Sequence, residues 1–241
     1  MTSSHPAVTS VSAFFPCYND ARSIEKMVRD VHQALERTVT DFEVIVVNDG
    51  SRDDSLHVLE HLAEELPRLR IVDHGVNRGY GAALLSGFAS ATKQWVFYTD
   101  GDAQYDASEV SVCIDAASDD VDLVQGVKIG RGDPFHRRVI GRVYHHAVKL
   151  LFHLPGHDTD CDFRLIRREL LASVRLSSTS GVICVEMMRA FDQVGARMVE
   201  VPVHHYFRPH GRSQFFRLPV ITRSATQLLQ LWFRMVVLQR S

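Results

Sequence analysis

Short, continuously apolar runs alternate with segments of helical period through the first half of the chain, and three of those runs end in polar clusters. Val8–Phe15, Phe42–Val47, Leu69–Asp73, Trp95–Thr99 and Val121–Gln125 read as strands. Between them lie Ala21–Arg37, Asp53–Leu66, Gly79–Ala91 and Val110–Ala117, which read as helices. In the first of these, Ile24, Met27, Val28, Val31 and Leu35 fall on one face. A helical crossover between successive strands brings them back parallel, and strands apolar on both faces need cover on both. The pattern therefore predicts an α/β layer fold with a largely parallel sheet. Such sheets bind ligands beyond the carboxyl ends of their strands. Pro16–Asp20, Asn48–Arg52 and Asp100–Asp106 all fall at such ends, so one crevice is expected to gather all three clusters.

Size and charge remove other classes. The 241 residues suffice for one large domain with its own core. Lys plus Arg number 27 against 29 Asp plus Glu, a formal charge of −2, which excludes a globally basic nucleic-acid binder. No apolar run approaches the roughly 18–20 residues of a membrane span. Met1–Thr9 has neither a cationic nor an apolar signal region. Cys17, Cys113, Cys161 and Cys184 are scattered without a C-x-x-C pair and read as reduced thiols. A cytoplasmic location is expected.

The second half is less regular. Phe135–Phe152 reads as a helix with a basic face. Asp158–Arg168 reads as a loop with three aspartates running into a helix start, with Phe163–Leu171 helical. Val182–Val194 reads as a helix and Arg197–Val203 as a strand. No acidic residue follows Glu200, while Arg208, Arg212, Arg217, Arg223, Arg234 and Arg240 do. Phe215–Leu238 carries Ile221, Ala225, Leu228, Leu229, Trp232, Met235 and Val236 as one wide apolar stripe. Such a helix lies on an anionic membrane surface or docks onto its own domain or a second copy. Phe207, Phe215, Phe216 and Trp232 beside the arginines suit an interface. Residues 8–215 are expected to form the main domain, and residues 216–241 an amphipathic tail.

The polar clusters have a definite chemistry. Asp100 and Asp102 stand two apart on a turn, so both carboxylates reach one hard divalent cation, with the Gln104 carbonyl as a further oxygen. The competing reading is a solvated turn. In Pro16-Cys17-Tyr18-Asn19-Asp20, proline fixes the turn and tyrosine offers a face to a base. In Asn48-Asp49-Gly50-Ser51, Asp49 suits a nucleobase imino N–H, against a plain helix start capped by Ser51 or Asp53. Asn77-Arg78-Gly79-Tyr80-Gly81 opens the third helix, and its amides are placed to approach phosphate. It is not the G-x-G-x-x-G dinucleotide fingerprint. His57 and His61 have a zinc-binding spacing, but no Glu or Cys completes the site, so they read as a surface face.

Together these segments resemble a family 2 glycosyltransferase of GT-A fold, a Rossmann-like single domain with a mixed, mostly parallel sheet. The matching pieces are Val8–Asp20 for a strand ending P-x-Y-N-[ED], Val44–Ser51 for V-V-D-D-G-S, Asn77–Ala82 for N-x-G-x-x-x-A, and Thr99–Asp106 for D-x-D-x-Q-x-D. Asp158–Arg168 is similar to the D-x-x-x-G-F-R-L-x-R-R segment of polyprenol-phosphate (dolichol-phosphate) mannosyltransferases. Val199–Phe215 resembles their V-E-V-P-I-x-x-x-x-R-x-x-G-x-S-K segment. The resemblance implies an inverting, metal-dependent transfer of a sugar from a GDP- or UDP-sugar to a polyprenyl phosphate. Pro16, Tyr18 and Asp20 would line the nucleoside pocket and Asp49 would hold the base. Asp100, Gly101 and Asp102 would hold the diphosphate through Mg²⁺ or Mn²⁺, with Gln104 as a further ligand. Arg208 would close over the pyrophosphate. Lys128 and Arg142 would position the acceptor phosphate, and Asp158 matches the aspartate of the later motif. Asn48 replaces an Asp, Asp20 a Glu, and Gln214 a Lys of the family pattern. For a neutral hydroxyl acceptor, which needs a base, Asp158, Asp160 and Asp162 are the candidates; Asp160 and Asp162 are extra acids relative to the family pattern and would repel a phosphate acceptor that they faced. The alternatives are the same chemistry on a soluble acceptor, or a non-catalytic nucleotide-sugar-binding scaffold; a homodimer is a further partner state.

Overall fold

The computed structural model describes residues 8–130, 146–154, 161–208 and 218–238. One seven-stranded sheet runs in the order β3-β2-β1-β4-β6-β5-β7. Its strands are β1 (Ser10–Cys17), β2 (Asp41–Asn48), β3 (Leu69–Asp73), β4 (Trp95–Thr99), β5 (Leu123–Ile129), β6 (Phe163–Arg167) and β7 (Met198–His204). The first four are mutually parallel, and β5 and β7 are parallel to each other. β6 runs antiparallel to both neighbours, β4 and β5. The carboxyl ends of β1, β2, β4 and β5 thus share one edge of the sheet.

Strand alternation divides the core into two layers. Val11, Ala13, Phe15, Val44, Val46 and Phe97 face one way, under α1 (Ile24–Thr38), α2 (Ser55–Glu65) and α4 (Val110–Ala116). Phe14, Ile45, Val47, Val96 and Tyr98 face the other way. That face is covered by α3 (Tyr80–Ser90), α5 (146–152), α6 (Arg168–Ser173) and α7 (Ile183–Gln193). The five apolar residues expected on one face of α1 are all buried. All four cysteines are free and buried, and burial, with the Asp20 carboxylate nearby, pushes the Cys17 thiol up to about 12.

Phe163–Arg167 corrects the expectation of a helix start after the aspartate loop. It is a strand with period-two alternation: Phe163 and Leu165 enter one layer, Arg164 and Ile166 the other. Arg164 hides the pattern in the sequence. Its side chain is fully buried, yet a buried arginine is sustained only when its donors are met, as they are here.

The tail helix α8 (Leu218–Trp232) continues into a π turn at Phe233–Val237. Leu231, Met235 and Val236 are buried in the second layer, and Trp232 Nε1 donates to Leu151 O at 3.0 Å. This end of the tail docks on its own domain. Leu229 and Phe233 nonetheless stay 62% and 53% exposed, beside Leu150 at 76%. Among the described residues, no helix is long and apolar enough to cross a membrane. Arg142, Asp158, Asp160, Arg212, Gln214, Phe215, Phe216, Arg217 and Arg240 lie outside the described residues, as does most of the expected helix at Phe135–Phe152.

Candidate active site

The loops after β1 and β2 are stitched together. Asn19 takes a left-handed φ of 59°. Its amide donates to Ser51 Oγ at 3.0 Å, and its side-chain oxygen accepts from Arg52 N at 2.7 Å. Asp20 N donates to Ser55 Oγ at 3.0 Å and Ala21 N to Asp53 Oδ2 at 3.1 Å. Ser51 therefore braces the first loop and does not cap the following helix. Asp53 braces it too, and its Oδ1 accepts from Ser55 N at 3.1 Å in a turn just ahead of α2, whose N-cap is Asp54. Gly50 is demanded by the turn: φ is +66°, and a Cβ there would stand 2.4 Å from the Val76 carbonyl carbon.

Asp49 is buried and committed. Its Oδ1 accepts from Arg78 N at 2.8 Å and faces His74 Nδ1 at 2.7 Å; its Oδ2 accepts from Gly79 N at 2.9 Å. His74 Nε2 in turn meets Ser86 Oγ at 2.9 Å. A carboxylate has about four acceptor positions, so one is left for a base. Gly81 N and Ala82 N donate to Thr179 O at 3.1 and 3.4 Å. The opening amides of α3 are thus occupied by protein, which corrects the expectation that they approach phosphate. Asn48 links the ends of β2 and β3, donating to Asp73 Oδ1 at 2.7 Å.

The acidic turn follows β4. Ser23 Oγ donates to Gly101 O at 2.8 Å and fixes the turn from α1's side. Asp102 is only 5% exposed. Its Oδ1 accepts from Gln104 N at 3.0 Å, and its Oδ2 is ion-paired with Arg208 Nη2. The structure thereby joins Asp102 and Arg208, which are 106 residues apart. Gln104 leans toward the same segment: its carbonyl accepts from Tyr206 N at 2.8 Å, and its side-chain oxygen stands 3.5 Å from Arg208 Nε. Lys128 stands near the carboxyl end of β5, on the same edge but two strands from β4.

Asp100 has partners the sequence did not announce. Tyr80 Oη donates to its Oδ1 at 2.8 Å. Thr99 pairs with Phe163 across the β4–β6 ladder, so Asp162, the residue before β6, lies beside Asp100. Arg164 holds Asp162 with Nη1 at 2.8 Å from Oδ1, bonds the Tyr98 hydroxyl, and donates through Nε to Gln125 Oε1 at 2.6 Å. Cys184 Sγ lies 3.1 Å from the same Asp162 oxygen. Burial and then the carboxylates of Asp162 and Asp102 push Asp100 well above the carboxylate range, against the Tyr80 bond and the Arg208 charge. Burial and then Asp102 raise Asp20 to about 6.

This corner gathers the carboxyl oxygens of Asp100, Asp102 and Asp162, with Arg208 on Asp102 and Arg164 on Asp162. That donor chemistry fits a hard divalent cation bound by one or two carboxylates, with a diphosphate and water completing the shell. Among the described residues no three His, Cys, Asp or Glu side chains are grouped to hold a metal by themselves. His61 lies near Glu64 and Glu65 on an exposed helix face.

Comparison with known proteins agrees with this geometry. Glucosyl-3-phosphoglycerate synthase from Mycobacterium tuberculosis, in complex with UDP, superposes with a TM-score of 0.71 at 18% identity over 94% of this chain and 80% of that one. The same enzyme in complex with Mn²⁺, UDP-glucose and phosphoglyceric acid gives 0.71 at 20% identity, over 94% and 79%. At this identity the likeness shows the shared GT-A fold. The undecaprenyl-phosphate 4-deoxy-4-formamido-L-arabinose transferase of Enterobacter sp. (strain 638) is 28% identical over 211 residues, 87% of this chain. The chain spans 63% of that relative's length. Residues 12–175, which run from within β1 through β6 and include the three polar strand ends, match Glycosyl transferase family 2, and the chain belongs to that family.

Proposed function

We propose that this chain moves a sugar from a nucleoside diphosphate sugar to a polyprenyl phosphate, with inversion at the anomeric carbon. The observation that carries the reading is the convergence of Asp100, Asp102 and Arg208 at the carboxyl end of β4, beside the loops of β1 and β2. A UDP donor is favoured by the UDP and UDP-glucose complexes of the neighbouring fold, and the acceptor by the undecaprenyl-phosphate transferase relative.

In this reading Pro16, Tyr18 and Asp20 line the nucleoside, and Asp49 holds the base. Asp100 and Asp102 would hold Mg²⁺ or Mn²⁺, which supplies positive charge against the diphosphate. Arg208 swings from Asp102 to the pyrophosphate and stabilises the charge that develops as the glycosidic oxygen leaves. The acceptor oxygen forms the new bond to the anomeric carbon from the opposite face, and the bonding electrons depart with the nucleoside diphosphate. A phosphate acceptor is already anionic at neutral pH, so no proton has to be removed. Lys128 and Arg142 position it. Asp158 stands in the matched motif as an acceptor-side carboxylate. The exposed Leu150, Leu229 and Phe233, in a tail rich in arginine, suit peripheral contact with the cytoplasmic membrane face.

One observation favours a hydroxyl acceptor instead. Asp162 has its Oδ1 fixed by Arg164 and stands beside Asp100, where a carboxylate serves as a base but repels a phosphate. Radiolabelled UDP-sugars incubated with Mn²⁺ and undecaprenyl phosphate in detergent test the two readings. Label in the organic phase supports the lipid acceptor; label found only on soluble hydroxyl acceptors overturns it.

A further inference from the structure

We propose that Tyr80 is a positioning residue for the donor site: its phenol fixes one oxygen of Asp100 and so turns the other toward the cation. This rests on the metal-assisted reading of the site above. Tyr80 is the first residue of α3, and its hydroxyl donates to Asp100 Oδ1 at 2.8 Å. No metal-ligand motif includes it, and it lies twenty residues before the carboxylate it touches.

The backbone around Tyr80 is held from both sides. Upstream, Arg78 N and Gly79 N donate to the buried Asp49 carboxylate. Downstream, Gly81 N donates to Thr179 O, and a Cβ at Gly81 would fall 2.3 Å from Ser178 O. The Ser177–Ser178 segment is itself pinned by Glu186, buried in α7, whose Oε2 accepts from Ser177 N at 3.1 Å and Ser178 N at 2.8 Å. Glu186 is also ion-paired with Arg234 of the tail. The ring of Tyr80 packs against the second core layer. With its main chain clamped and its ring packed, the phenol has little freedom, so the bond to Asp100 is preorganised.

The chemistry explains why a hydroxyl is needed there. Asp100 stands beside Asp162 across the β4–β6 ladder and two residues from Asp102, so its surroundings are rich in carboxyl oxygens. A neutral phenol donates one hydrogen bond without adding a competing positive charge, which a lysine at this point would do. Partners behind a metal-binding carboxylate commonly alter metal affinity by about 10–100-fold when removed.

Tyr80→Phe keeps the ring and removes only the donor, so the fold is expected to hold. The experiment measures Mn²⁺ binding by electron paramagnetic resonance in the presence of UDP, and UDP binding by calorimetry without metal. It uses wild type, Tyr80→Phe, Asp100→Asn and the double variant. The proposal expects Tyr80→Phe to weaken Mn²⁺ binding about tenfold while UDP binding without metal is unchanged. It also expects no further loss when Tyr80→Phe is added to Asp100→Asn. Wild-type Mn²⁺ affinity in Tyr80→Phe, or an equal loss in the Asp100→Asn background, overturns the role of Tyr80 alone. A wild-type chain that takes up no Mn²⁺ with UDP overturns the donor-site reading and this proposal together.

Discussion

At the residue scale, the pairing of Asp102 with Arg208 is the most informative contact. An arginine stands on the carboxylate that a cation would need, and it shares that carboxylate's segment with Gln104. On the proposed function, Asp102 would be left to the cation when Arg208 turns to the diphosphate, so the two ligands would bind as a couple. Arg208→Ala is therefore expected to strengthen Mn²⁺ binding alone by about fivefold and to weaken UDP binding in the presence of Mn²⁺. Titrations with and without UDP check this, and a loss of Mn²⁺ affinity in both would contradict it. Asp102→Ala is expected to lower metal-dependent UDP affinity more than about tenfold while leaving UDP binding without metal nearly unchanged. The carboxylate pair was legible in the sequence because its spacing is local. Asp162 was legible as a candidate base, but its place beside Asp100 was not, nor were the parts of Tyr80 and Arg164, because only the β4–β6 ladder and the start of α3 bring them there.

At the element scale, the strands that read as continuous apolar runs formed where expected. Leu69–Asp73 and Trp95–Thr99 match their expected limits. β6 did not, since an alternation broken by arginines carries its meaning only once the buried network around Arg164 is seen. The start of α3 shows the same limit: glycines and free amides suggest phosphate, but tertiary carbonyls had already taken them. The opposite edge of the sheet offers a separate test. Glu43 on β2 accepts from Ser12 Oγ at 2.7 Å, Thr92 N at 2.8 Å and Arg70 Nη2 at 2.9 Å. Against the cost of burial, bonds from Thr92, Ser12 and Arg70 hold its carboxyl down to about 2 from 4.5. A depressed acid stabilises the fold above its unfolded pKa and loses that contribution as pH falls toward its folded one. Acid denaturation should thus show a loss of about 3 kcal/mol between roughly pH 4.5 and 2. Glu43→Gln is expected to flatten that part of the stability curve; an unchanged slope would contradict the assignment.

At the scale of the whole molecule, one sheet carries the donor crevice on one edge, and the tail closes the layer behind it. Leu231 is buried in the second core layer, so Leu231→Ala is expected to cost about 2–5 kcal/mol of stability by urea unfolding. The outward residues of the same helix behave differently. Leu229→Ser with Phe233→Ser should leave stability within about 1 kcal/mol but reduce sedimentation with anionic vesicles; unchanged sedimentation would speak for a second copy of the chain as the partner of that surface, which light scattering would register. The central claim is that the carboxyl edge binds a nucleoside diphosphate sugar through a divalent cation on Asp100 and Asp102. Thermal unfolding of the purified chain with UDP- and GDP-sugars, with and without Mn²⁺, tests it most directly, because a ligand of the folded state alone raises the melting temperature. The account predicts a rise with UDP-sugar that needs Mn²⁺ and disappears in Asp102→Ala. No rise with any donor, or an equal rise in Asp102→Ala, would contradict it.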